Sequence, residues 1–221
     1  MRRQAWPELS DQWLAPSLWR VRRAARTVRM ETNRRERSAL LVIDAQDSFK
    51  LSPTWARRDN PRFESNVAAL LGGYRAARLP VVFFLHTDPD PGFQETSPHF
   101  RVMPGLEPRE GEPVFVKRTR NCFTSTPLQP WLLERGVGRI AIAGIQTEQC
   151  CETTARVGAD LGFAVDFITE ATMTFPIAHL ERPGEELGVE AIRERTEYAL
   201  RGRFARIVTV ETVLAELSSW R

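Results

Sequence analysis

Lysine is nearly absent from this chain of 221 residues: only two of its 31 basic residues are Lys, at positions 50 and 117, and the rest are Arg. Arg carries charge as well as Lys on an exposed surface, but it cannot supply a compact, titratable ammonium. Each lysine is therefore a candidate for chemistry. Cysteine is scarce too. Three residues, two of them adjacent at Cys150 and Cys151, cannot build a disulfide framework, which points to a reducing, cytoplasmic setting. No apolar run approaches the roughly 20 residues of a membrane span, and no internal repeat or low-complexity tract is visible. With 42% hydrophobic and 27% charged residues, the chain is long enough for one well-buried globular domain.

The net charge of +3 is unevenly spread. Residues 1–37 hold ten Arg against four acids, a net of +6, so the remainder carries −3. The basic balance belongs to an N-terminal arm, which also holds Trp6, Trp13 and Trp19, and it argues against a nucleic-acid face on the domain. The arm lacks the apolar stretch of a secretory signal. Its composition fits a transit segment or a nucleic-acid arm; we favour a partner-packing extension or a start read too early, with Met30 as the alternative start. Residues 1–37 are taken as the extension and 38–221 as the domain.

From Ser38 the pattern alternates. Short continuous apolar runs at 39–44, 80–85, 113–117, 139–144, 163–168 and 205–210 read as buried parallel strands. Between them lie helical segments. One is introduced by Asn60 as N-cap and Pro61, with Phe63, Val67, Leu70, Leu71 and Tyr74 on one face; another by Thr126 as N-cap and Pro127. Helices also follow at 147–162, 184–202 and after 210. Residues 86–113, with six Pro and three Gly, read as a long functional loop. The alternation predicts an α/β three-layer sandwich with a six-stranded, mainly parallel sheet, Rossmann-like in style.

Active sites of such sheets lie at the carboxyl ends of the strands. The first four predicted strands end in Asp44, next to His86, at Lys117 and at Gly144, and Cys150 lies in the first turn or so of the helix that follows. An acid, an ammonium and a thiol thus converge. A helix N-terminus and a nearby ammonium both favour a thiolate, so the thiol is expected to ionise below the free-cysteine value and to alkylate near neutral pH. Asp44 can take the thiol proton and later return it to a leaving amine. Each residue also has a plainer reading: a turn acid, a solvated lysine, a small core cysteine.

Three blocks carry a resemblance. "LLVIDAQDSF", "VFVKRTRNCFTSTPL" and "IAIAGIQTEQCCETTARVGADLGFAVDFITEA" span residues 39–171. Together they resemble the isochorismatase-like cysteine hydrolases, the superfamily that includes nicotinamidase and N-carbamoylsarcosine amidohydrolase. The resemblance implies a catalytic triad of Asp44 as acid/base, Lys117 as its electrostatic partner and Cys150 as nucleophile, with Cys151 and Cys122 as fillers. It also implies a cis peptide bond between Ile145 and Gln146, and an oxyanion hole of the backbone N–H groups of Gln146 and Cys150.

The expected function is hydrolysis of a small-molecule amide or carbamoyl C–N bond through a thioester intermediate. The alternatives are a vinyl-ether hydrolase of the isochorismatase type, a catalytically idle binding protein of the same fold, and a nucleic-acid role for the arm. Pocket candidates are Phe49, Trp55, His86, Phe93, Asn121, Phe123, Gln146 and Phe175. Nicotinamidases carry an Asp-x-His metal pattern after the second strand; here His86 and Asp88 stand in reverse order and His99 is out of register, so no metal and no other cofactor is expected. His179 sits in a segment that reads as a loop over the site. A homo-oligomer, dimer or tetramer, is implied, with no membrane partner.

Overall fold

The computed structural model describes residues 37–219; the Arg- and Trp-rich extension expected over residues 1–37 lies outside them but for its last residue. The sheet runs in the order β3-β2-β1-β4-β5-β8. Its strands are β1 (Ser38–Ile43), β2 (Val81–His86), β3 (Val114–Lys117), β4 (Arg139–Ile145), β5 (Ala164–Met173) and β8 (Arg206–Ile207). Every pairing in it is parallel. The helices are α1 (Phe63–Ala76), α2 (Leu128–Glu134), α3 (Glu152–Asp160), α4 (Val189–Leu200) and α5 (Val210–Ser218).

Side chains of a strand alternate between faces, and here both faces are covered. Leu40, Val42 and Phe83 pack with Phe63, Val67, Leu70, Leu71 and Tyr74 of α1 and with Val213 and Leu217 of α5. Leu41, Ile43, Phe84 and Ile142 pack with Leu128 and Leu132 of α2 and Ala155 of α3. Double coverage is why β1 and β2 are buried at every residue and read as unbroken apolar runs. Each fully buried Leu, Val or Phe stabilises the fold by about 1.5–3 kcal/mol.

Several local expectations change. Asn60 does not cap α1. It takes a left-handed φ of 51°, and its Nδ2 donates to the carbonyls of Glu170 and Thr172 at 2.8 and 2.7 Å. The residue therefore fastens the start of α1 to the end of β5. The Thr126 hydroxyl does accept from Leu128 N–H at 3.2 Å, although Pro127 precedes α2 instead of opening it. The fifth strand runs on to Met173, through a register shift beside Ile142 and Gly144. The predicted helix over 184–202 begins only at Val189, because Glu186–Leu187 (β7) pairs antiparallel with Ile177–Ala178 (β6). The last strand shortens to two residues, since Thr209 already caps α5 by accepting from Thr212 N–H.

Two features shape the carboxyl edge. Gly144 has φ +143°, and a Cβ there would lie 1.9 Å from the Ile43 carbonyl oxygen; only glycine lets β4 approach β1 so closely. The long loop after β2 returns to β1: Met103 N–H donates to Ala45 O at 2.8 Å and Asp47 N–H to Arg101 O at 2.9 Å.

Candidate active site

The strand ends bring the predicted triad together. Lys117 Nζ lies 2.7 Å from Asp44 Oδ2, and both side chains are fully buried. The same Nζ lies 3.3 Å from Cys150 Sγ, and it donates to Thr119 O at 3.2 Å. Asp44 stands just beyond β1 with φ +50°, a region sparsely populated by non-glycine residues and enriched at functional positions. Its Oδ1 has no hydrogen-bond partner among the described residues. Lys50, the other lysine, is instead a surface partner of Asp47, 40% exposed. Position alone separates the two.

The Cys150 segment is built by its own neighbours. The peptide bond between Ile145 and Gln146 is cis. Thr147–Cys151 then forms one wide, π-helical turn before α3. Thr154 Oγ1 donates back to Cys150 O at 2.6 Å and accepts from Cys122 N–H at 3.1 Å, tying the cysteine turn to the loop after β3. Glu152, buried, is held by Arg156, Arg195 and Thr196, which locks α3 to α4. Gln46 positions the second strand end: its Oε1 accepts from His86 N–H at 2.7 Å and its Nε2 donates to His86 O at 3.2 Å.

The electrostatics correct one expectation. Burial, reinforced by the Asp44 carboxylate, pushes the Cys150 thiol up to about 12, and Lys117 offsets only part of this. Burial and Asp44 thus favour the thiol, against what the helix N-terminus and the lysine alone predict. Burial works to strip the charge from Lys117, but Asp44 and Cys150 outweigh it, and the ammonium titrates above the ordinary lysine range. His86 is lowered, first by burial and then by Lys117. Cys122 and Cys151, both fully enclosed, are raised by burial; all three cysteines are free.

A cavity of about 510 Å³ opens onto Cys150 and Asp44. Phe49, Phe93, Phe175, His86 and Gln146 line it. Phe49 meets Phe93 edge-on at 5.0 Å and stacks on Phe175 at 6.0 Å. Three pocket candidates do not line it. Trp55 packs behind Phe175 under the Arg58 guanidinium. Asn121 is a turn residue whose Oδ1 accepts from the N–H groups of Phe123 and Thr124. Phe123 stacks on Phe163 in the α3 layer. His179 lies on the exposed β6–β7 hairpin, accepting from Glu181 N–H.

Sequence reasoning missed Arg120, Gln149 and Ser48, which do line the cavity. Arg120 stands three residues past Lys117, so following each strand end a few residues into its loop would have found it. Among the described residues no three His, Cys, Asp or Glu side chains gather as metal ligands. The two ring nitrogens of His86 face Lys117 Nζ at 3.4 Å and Arg120 Nη1 at 2.9 Å, and such cationic neighbours do not fit a metal ligand.

An acid, an ammonium and a thiol are thus gathered at the carboxyl edge of a parallel sheet, where such folds bind their ligands. The family profile "Isochorismatase domain" matches residues 38–210, and the chain belongs to that family. It is 25% identical over 181 residues to the isochorismatase family protein YrdC of Bacillus subtilis, covering 81% of this chain and 95% of that one. It is 30% identical over 168 residues to Nicotinamidase 3 of Arabidopsis thaliana, covering 67% of this chain and 81% of that one. A crystal structure of an isochorismatase-family hydrolase from Chromobacterium violaceum matches with a TM-score of 0.77 and 29% identity, covering 83% of this chain and 95% of that one.

Proposed function

We propose that the protein hydrolyses the amide or carbamoyl C–N bond of a small molecule through a thioester on Cys150. The observation that carries this reading is the single ammonium of Lys117, 2.7 Å from Asp44 and 3.3 Å from Cys150, two residues that line one cavity. In the first half, Sγ attacks the carbonyl carbon as Asp44 takes the thiol proton. Lys117 stabilises the charge passing between them. The oxyanion forms beside the backbone N–H groups of Gln146 and Cys150, preorganised donors of the kind that stabilise such charge. Collapse breaks the C–N bond, and Asp44 gives its proton to the departing nitrogen. In the second half Asp44 takes a proton from water, whose oxygen attacks the thioester, and the thiol is regenerated.

A thiol of raised pKa suits this sequence. Proton transfer is coupled to attack, and the strong nucleophile exists only when the carbonyl is in place. An amide-hydrolysing relative, Nicotinamidase 3, supports the bond type. Three free, buried thiols suit a reducing compartment, and the reading includes a cytoplasmic location. The test is ammonia release from a panel of primary amides and N-carbamoyl compounds. Replacing Cys150→Ala is expected to lower kcat/KM by at least about a thousandfold. Turnover that survives Cys150→Ala sinks the thioester.

A further inference from the structure

Arg120 has no role in the reaction just described. It is exposed, lines the cavity together with Cys150, and has no carboxylate within 4.0 Å among the described residues. Its Nη1 is engaged at 2.9 Å by the Nε2 of His86, whose backbone is in turn fixed on both sides by Gln46. That contact takes up at most one of the guanidinium's five donors and leaves the others open to a ligand. Arg118, nearby in sequence, points elsewhere and pairs with Glu95. The cavity therefore has an aromatic wall of Phe49, Phe93 and Phe175, a thiol, and one anchored cation whose planar fork matches a carboxylate.

We propose that Arg120 recognises a carboxylate on the substrate, so that the enzyme acts on the amide or carbamoyl group of a small acid with a flat, apolar body. This rests on the hydrolase reading above and names its substrate class. A carboxylate fits better than a phosphate. Asp88 and Asp90 also line the cavity, their Oδ1 atoms taken by the N–H groups of Asp90 and Gly92 and Asp88 Oδ2 3.5 Å from His86 Nε2, and a dianion would be repelled more strongly there than a monoanion.

The test is calorimetric titration of the full-length Cys150→Ala protein, which cannot turn over, with benzoate, benzamide and phenyl phosphate. Benzoate is expected to bind about tenfold more tightly than the other two, the worth of a charge-assisted pair at a partly exposed site. Adding Arg120→Gln should remove that preference and leave benzamide binding in place, which also reports that the cavity is intact. The proposal is overturned if no ligand binds, if benzoate has no advantage, if its advantage survives Arg120→Gln, or if phenyl phosphate binds most tightly. Ammonia release by the unsubstituted protein is read separately. Cys150-dependent release without a benzoate preference leaves the hydrolase and removes this substrate class. An Arg120-dependent preference with no Cys150-dependent release of any amide does the reverse, leaving a carboxylate-binding site.

Discussion

Asp166 at the amino end of the sheet and Asp44 at its carboxyl end are both buried and both face cations, and the two are built differently. At the amino end Asp166, on β5, receives Arg139 Nη1 at 3.0 Å and Arg206 Nε and Nη2 at 2.8 and 3.1 Å. Both its oxygens are satisfied, and the arginines remain 28% and 44% exposed. At the carboxyl end Asp44 has one ammonium, and that ammonium is shared with a thiol. One oxygen is left without a partner, and nothing in the pair reaches solvent. The first arrangement is a finished structural joint. The second withholds hydrogen bonds from a carboxylate, which keeps it available to accept a proton.

The contrast is broken most directly by removing each acid. Asp44→Asn is expected to lower hydrolysis by about 10²–10⁴-fold, the usual range for losing a general acid–base group. It should also have an opposite effect on the nucleophile. Because Asp44 helps to raise the Cys150 thiol, its neutral isostere should make Cys150 alkylate faster with iodoacetamide at fixed pH. Peptide-level mass spectrometry reads this directly; slower labelling in Asp44→Asn would show that the carboxylate activates the resting thiol. Asp166→Asn should leave kcat unchanged.

The second difference is in stability. Lys117→Met leaves Asp44 buried without its cation and is expected to cost about 3–5 kcal/mol in urea denaturation. The double change Lys117→Met with Asp44→Asn should recover much of that loss. At the other end, Asp166→Asn should cost only about 1–2 kcal/mol, because Arg139 and Arg206 can turn to water. Equal losses at the two ends would remove the distinction.

Much of this arrangement was legible from order alone. Runs such as Ala39–Ile43 and Val81–Leu85 are apolar because both faces of the sheet are covered, and the strand-end rule then located Asp44 and Lys117. What could not be read depends on distances between segments remote in sequence. Arg120 matters because His86, from a different strand, meets its guanidinium. Asn60 looked like a cap, but β5 offers it two carbonyls 110 and 112 residues away. A helix N-terminus and a lysine alone predict an early-ionising thiol, and burial, the largest contribution at Cys150, opposes them only once the fold is formed. Phe123 has the right composition for a pocket wall and packs into the other layer.

Buried thiols also set a pH limit. Cys150 rises from the ordinary 9.0 to about 12, and Cys122 and Cys151 are raised as well. Between pH 9 and 12 the unfolded chain has released the Cys150 proton while the folded chain retains it, and Cys122 and Cys151 act in the same direction. The folded state binds more protons there, so stability falls as pH rises through that window. Urea midpoints should be level with respect to these groups below pH 9 and decline above it, and Cys151→Ala should make the decline shallower. A decline equally steep in Cys151→Ala would assign it to other groups.

The smallest expected effect lies at the rim of the amino-end network. Arg206 also forks onto Glu216, both oxygens at 2.7 Å, but the two side chains are 44% and 45% exposed. Water competes for both partners and salt screens them, so Glu216→Gln should cost about 0.5 kcal/mol and the cost should shrink in high salt. The bidentate geometry places it toward the upper part of the usual surface range. Lys117→Met, whose pair has no exposed atoms, should keep its full penalty at any salt concentration. Urea midpoints at two ionic strengths decide this. If the Glu216→Gln loss persists in salt and matches that of Asp166→Asn, then Glu216, Arg206 and Asp166 act as one coupled unit, and the amino end depends on its orientation of Arg206 as strictly as the carboxyl end depends on Lys117.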